Sequence, residues 1–166
     1  MLLLDLTVPE DRLDRRWLMR VRDIMSKNVA YCLPETSLSD VARMMVDNDC
    51  GEIPVLNAAG IPIGVITDRD ITCRTVAEGR NPLLMEAGDC MTTPCVTVSP
   101  ETSLGDCCQT LESHQIRRVP VVDETGACCG MVSQADIARH ARKNETAEVL
   151  QKVSEPGQPV SQVYGH

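Results

Sequence analysis

The sequence predicts an α/β (α+β) fold in which two β-α-β-β-α units stack into one domain. Three observations carry that prediction. The chain repeats itself without a gap at an offset of 66, taken from Met25 to Met91. Each copy shows the same order of strand, helix, hairpin and helix signals. And 166 residues suit one well-cored domain, while a half of about 60 residues is marginal alone and needs the other half to cover its sheet.

The repeat is read off directly. At the offset that sets Asp23-Ile24-Met25 over Asp89-Cys90-Met91, Pro34-Glu35-Thr36-Ser37-Leu38 falls on Pro100-Glu101-Thr102-Ser103-Leu104, and Asp40 on Asp106. Pro54-Val55 falls on Pro120-Val121, Gly60 on Gly126, Gly64 on Gly130, and Asp70-Ile71 on Asp136-Ile137. Such periodicity marks duplication of a supersecondary unit.

In chain order, residues 1–20, with the lone Trp17, form an amphipathic lead-in, and residues 21–77 the first repeat. Val29 to Cys32 reads as a short strand ended by Pro34. Ser37-x-x-Asp40 is a helix-capping signature, followed by Leu38, Val41, Ala42 and Met45 at the spacing of one buried face. Ile53–Leu56 and Ile61–Thr67 flank Asn57-Ala58-Ala59-Gly60 as a hairpin, and a second helix begins near Asp68. Residues 78–86 are a linker. Residues 87–141 repeat the pattern: a strand over Val96–Val98, a cap at Ser103-x-x-Asp106, and a helix face of Leu104, Cys107, Cys108 and Leu111. A hairpin around Asp123-Glu124-Thr125-Gly126 and a helix from near Gln134 complete it. Residues 142–166 hold a last helix, Thr146 to Val153, and a loose tail.

Composition excludes several classes. A hydrophobic fraction of 43% and a charged fraction of 24% are those of a globular chain, not a disordered one. The net charge of −8 repels nucleic acid and anionic membranes at long range. An aromatic content of 2% leaves no stacking platform for a nucleic-acid strand. No run approaches the roughly 20 apolar residues of a membrane span. Met1-Leu2-Leu3-Leu4 is cut by Asp5 and lacks a basic region, so no secretory signal is expected. Nine cysteines then fit a reducing, cytoplasmic setting.

The Asp-x-Met starts, the Pro-Glu-Thr-Ser-Leu turns, the Pro-Val hairpins and the two Gly-x-x-[Thr/Ser]-x-x-Asp endings together resemble the CBS domain, over about residues 21–75 and 87–141. The resemblance implies two repeats related by pseudo-two-fold symmetry, sheets packed together, with two clefts between them. It also implies a regulatory, non-catalytic module. Its clefts would take an adenosine-type ligand (AMP, ADP, ATP or S-adenosylmethionine), and its copies would associate as a homodimer that signals to an effector protein.

Gly64-Val65-Ile66-Thr67-Asp68-Arg69-Asp70 and Gly130-Met131-Val132-Ser133-Gln134-Ala135-Asp136 are the candidate ligand motifs. Asp70 or Asp136 suits a ribose diol. Thr67 or Ser133, at a helix start, suits a phosphate, and Gly64 or Gly130 lets a ligand approach the strand. The same Thr/Ser-x-x-Asp strings are also capping boxes. Arg117-Arg118 resembles the basic pair that family members place on phosphates, with Arg69 a further cation; the first copy has Gly51-Glu52 at the matching positions. Carried over from the family, Arg117 and Arg118 would complete the Asp70 site, and Gly51-Glu52 would face the Asp136 site. Val29, Ile53, Val96 and Val119 are candidate walls for an adenine.

The cysteines invite a metal or redox reading, but no Cys-x-x-Cys occurs. At the repeat offset eight of them align with apolar residues and only Cys73 with a polar one, Arg139, so cysteine reads as a small buried hydrophobe. His114 and His140 align with Asn48 and Arg74 and read as surface residues. Two alternatives to a ligand sensor stay open: a structural dimerisation module with empty clefts, and a cysteine-based redox or metal sensor.

Overall fold

The computed structural model describes residues 19–140 and 150–154. Trp17, the first part of the predicted last helix and the tail beyond Ser154 lie outside the described residues; residues 150–153 are helical.

The first repeat contains α1 (Val21–Ile24), α2 (Leu38–Asp47), β1 (Glu52–Leu56), β2 (Pro62–Thr67) and α3 (Asp68–Arg74). Two 3₁₀ turns, Val76–Glu78 and Pro82–Leu84, carry the chain through the linker. The second repeat follows with α4 (Ala87–Cys90), α5 (Leu104–His114), β3 (Arg118–Val122), β4 (Cys128–Ser133) and α6 (Gln134–His140). Helices α2 and α5 begin where the capping serines stand: Ser37 Oγ accepts from Asp40 N at 3.1 Å and Ser103 Oγ from Asp106 N at 3.0 Å.

Each hairpin is a two-stranded antiparallel sheet, and the two keep the same register. Glu52 pairs with Thr67 and Arg118 with Ser133, with irregularities at Val55/Leu56 and Val121/Val122. The predicted first strands contract to single parallel bridges, Cys32 to Val55 and Val98 to Val121. Pro34 and Pro100 follow two residues later and turn the chain before a ladder can grow. The hairpin tips meet, Cys128 N donating to Gly60 O at 2.9 Å.

The repeats exchange their opening segments. Helix α1 docks on the second repeat, Val21 N donating to Thr102 O and Arg22 N to Pro100 O; α4 docks on the first, through Ala87 N to Thr36 O and Gly88 N to Pro34 O. Past each helix the chain adds a bridge to the sheet of the other repeat, Ser26 to Met131 and Thr92 to Val65. The cores are mixed accordingly. One packs Val21 and Ile24 with Leu104, Leu111, Val119, Val132 and Ile137; the other packs Ala87 and Cys90 with Leu38, Val41, Ile53 and Ile66. Each large apolar side chain taken fully from water contributes about 1.5–3 kcal/mol, so neither half covers its core without the other's short helix.

The predicted helix faces are met unevenly. Leu104, Cys107, Cys108 and Leu111 are all buried on α5, whereas on α2 only Leu38, Val41 and Met45 are; Ala42 is exposed and lines a groove between α2 and α3. Among the described residues no helix is long and apolar enough to cross a membrane.

Candidate functional site

Where β2 ends, Thr67 takes an extended conformation and caps α3. Its backbone N and its Oγ1 both donate to Asp70 Oδ2, at 2.9 and 2.7 Å, while Asp70 N donates back to Thr67 Oγ1 at 3.0 Å. The other carboxylate oxygen, Asp70 Oδ1, accepts from the Thr92 hydroxyl at 3.2 Å and lies 3.3 Å from the Arg74 guanidinium. Ser133 and Asp136 build the same cap on α6, with Arg139 donating to Asp136 Oδ1 at 3.1 Å. Both motif aspartates are thus working capping boxes, and a diol at Asp70 must displace Thr92 or Arg74 rather than find an idle oxygen.

A cleft of about 680 Å³ opens beside Thr67 and Asp70, within the size range of small-molecule sites. From the first repeat it is lined by Gly51, Glu52, Val65, Thr67, Asp68, Arg69 and Asp70. Thr92, Pro94 and Val96 line it from the crossover segment, and Gln115, Ile116, Arg117, Arg118 and Pro120 from the edge of the second repeat; Val153 reaches it from the C-terminal helical turn. Arg117 and Arg118 are brought there because α5 stops at Gln115, whose left-handed backbone (φ 52°) turns the chain back into β3.

The structure therefore gathers Thr67, Arg69, Asp70, Val96, Arg117 and Arg118 in one cleft. It separates the other candidates. Ser133 and Asp136 do not line this cleft. Ile53 and Val119 are fully buried in the two cores, so neither side chain forms an adenine wall here. Val29 and Gly130 line a different hollow, beneath the hairpin tips.

The glycines have a different occupant from the one their spacing implied. A Cβ on Gly64 would stand 2.9 Å from Thr92 O, and one on Gly130 2.8 Å from Met25 Sδ and 3.0 Å from Ser26 O. Each glycine admits the exchanged segment of the other repeat.

Glu52 is also displaced from its expected place. It and Gly51 line the Asp70 cleft, not one built on Asp136, because Glu52 pairs in register with Thr67 and so stands beside the start of α3. The offset shows that Glu52 corresponds to Arg118, but correspondence does not say which cleft each edge faces. Burial pushes the Glu52 carboxyl up to about 7; the Arg118 guanidinium opposes this and the Asp70 carboxylate adds to it. Three arginines (Arg69, Arg117, Arg118) and three carboxylates (Glu52, Asp68, Asp70) line the cleft, so their formal charges cancel.

Among the cleft residues that sequence reasoning missed, Thr92 is the one hydrogen-bonded to Asp70. A signal for it existed: Thr92 aligns with Ser26, and both carry hydroxyls at the point of exchange.

None of the nine cysteines is in a disulfide. Cys32, Cys90, Cys107 and Cys108 are buried as expected, but Cys50, Cys95, Cys128 and Cys129 are half-buried, and Cys73 is exposed. Burial raises the thiol of Cys107 to about 12 and that of Cys32 to about 11. Among the described residues no three His, Cys, Asp or Glu side chains are grouped to hold a metal ion.

The CBS domain family model matches residues 21–74 and 87–143. The CBS domain-containing protein YhcV of Bacillus subtilis is 37% identical over 127 residues, covering 76% of this chain and 89% of that protein. The crystal structure of Hypoxic Response Protein I with two coordinated zinc ions superposes with a TM-score of 0.69 at 33% identity, over 75% of this chain and 100% of that one. The CBS domain pair of protein MJ0100, in complex with 5′-methylthioadenosine and S-adenosyl-L-methionine, shares the fold with a TM-score of 0.66 at 24% identity, over 73% and 98% of the two chains. Two complete repeats with exchanged opening segments, matched one by one by the family model, make this chain a tandem member of the CBS domain family.

Proposed function

We propose that the cleft between α3 and the Arg117–Arg118 edge binds an adenosine-type ligand (AMP, ADP, ATP or S-adenosylmethionine), and that the protein is a non-catalytic regulatory module. One observation carries this reading: a ribose-type acceptor, Asp70, and a hydroxyl at a strand-to-helix turn, Thr67, share a cleft with two arginines from the other repeat. A ligand spanning that cleft bonds to both repeats at once. Its occupancy therefore biases their relative placement, which an effector protein can read. The bound adenosine-type ligands of the MJ0100 domain pair support the same chemistry. Nine cysteines, none of them in a disulfide, suit a reducing cytoplasm.

The groove between α2 and α3 supports association as a homodimer. Ala42, Met45, Val46 (79% exposed) and Ile71 give it an apolar floor, with Asp49, Cys50, Gly51, Asp68 and Thr72 completing the lining. A dimerisation module with an empty cleft is the competing reading. Calorimetric titration of the purified protein with AMP, ATP and S-adenosylmethionine separates the two: saturable binding of one of them is the result expected, and no binding of any supports the structural role.

A further inference from the structure

The Arg117–Arg118 edge would by itself select an anion, yet an acid stands beside it. Glu52 is paired in register with Thr67, the hydroxyl residue proposed for the phosphate. It shares the cleft with Asp68, Arg69 and Asp70 of α3 and with Arg117 and Arg118 of the second repeat; the charges of Arg118 and Asp70 act on it, and its own acts on the Cys95 thiol of the crossover segment. With Glu52 ionised the formal charges lining the cleft cancel; with Glu52 neutral an excess positive charge faces the ligand.

We propose that Glu52 is the specificity determinant of this cleft, admitting a 5′-phosphate only when its carboxyl is protonated and otherwise favouring an uncharged or cationic 5′ group. The proposal rests on the adenosine reading above and adds to it the chemistry of the 5′ end. A phosphate-bearing ligand then binds with uptake of one proton from solvent onto Glu52, and no covalent bond of the ligand changes. The half-buried position of Glu52 supports this, since burial already pushes its carboxyl up to about 7.

The test uses AMP and adenosine as probes, titrated calorimetrically into the full chain at pH 7.0 and 8.5 in two buffers of different ionisation enthalpy. The AMP phosphate, with a second pKa of about 6, is largely dianionic at both values. In wild type, AMP should weaken about tenfold from the lower to the higher pH and take up a proton, while adenosine changes less than about twofold. Glu52→Gln should bind AMP without proton uptake and with no such slope. A pH-independent AMP affinity in wild type, or the same slope in Glu52→Gln, overturns the proposal while adenosine binding keeps the adenosine reading intact. Failure of AMP, adenosine, ATP and S-adenosylmethionine alike to bind wild type removes that reading and the proposal with it; binding of S-adenosylmethionine with no AMP binding at either pH keeps the reading and overturns the proposal. Titration of the Glu52 carboxyl by NMR in unliganded wild type is an independent check: a midpoint near 7 supports the proposal, and one near the ordinary value of about 4.3 contradicts it.

Discussion

The Thr92 hydroxyl donates to Asp70 Oδ1 at 3.2 Å, tying the opening segment of the second repeat to the first turn of α3 in the other. Arg74 reinforces the tie. Its guanidinium donates to Cys90 O and Met91 O, each at 2.7 Å, and to Thr92 Oγ1 at 2.9 Å. Arg74→Ala should therefore lower stability by about 2 kcal/mol, the scale of charged hydrogen bonds lost to partly buried acceptors. Urea denaturation checks this; an unchanged midpoint would mean that the exchange does not depend on the clamp.

Gly64→Ala and Gly130→Ala should each destabilise the protein by about 1–3 kcal/mol, the usual penalty for overpacking. The atoms a Cβ would meet include backbone carbonyls, Thr92 O and Ser26 O, which cannot swing aside as a flexible side chain can. Thermal melting without ligand is the measurement. A normal melting temperature combined with weakened ligand binding would restore the reading in which the ligand, not the exchanged segment, lies against these glycines.

Glu52 makes stability depend on pH in a known direction. Its carboxyl is raised to about 7 in the folded protein, above an unfolded value near 4.3. Between those values the folded state holds more protons than the unfolded one, so this contribution to stability is complete below about 4.3 and is lost as pH rises through about 7. Glu52→Gln should thus stabilise the protein by about 1–3 kcal/mol at pH 8 and change it little at pH 4.5. Equal effects at both values in chemical denaturation would show that the carboxyl titrates normally.

Thiol labelling of the native protein should follow burial. Cys73, the exposed thiol, should react first, the half-buried Cys50, Cys95, Cys128 and Cys129 more slowly, and Cys32, Cys90, Cys107 and Cys108 only on unfolding. Mass spectrometry of time points reads the order. Early modification of Cys107, whose thiol is raised to about 12, would be incompatible with this packing.

What the sequence disclosed and what it hid divide along physical lines. Capping serines, helix faces and hairpin turns are local signals, and Ser37, Ser103 and Asp68 mark their elements as expected. The apolar runs Val29–Cys32 and Val96–Val98 predict strands, yet each forms one bridge only. The exchange of α1 and α4 is tertiary and leaves no periodicity. For that reason the spacing of Gly64 and Gly130 does not reveal that the exchanged segment lies against them, or that Thr92 reaches Asp70. Ile53 and Val119 looked available as walls because a strand pattern gives alternation without saying which face is sealed; each lies in a core.

The most direct test of the central claim compares AMP with adenosine binding by calorimetry in wild type, Asp70→Ala, Asp136→Ala and Arg118→Ala. One charge-assisted hydrogen bond contributes about 1.5–3 kcal/mol, or roughly ten- to a hundredfold in affinity. The account predicts that Asp70→Ala abolishes binding in the cleft beside α3, that Asp136→Ala spares it, and that Arg118→Ala weakens AMP by that factor while leaving adenosine nearly unchanged. Damage from Asp136→Ala with a silent Asp70→Ala, or equal losses of AMP and adenosine in Arg118→Ala, would contradict it.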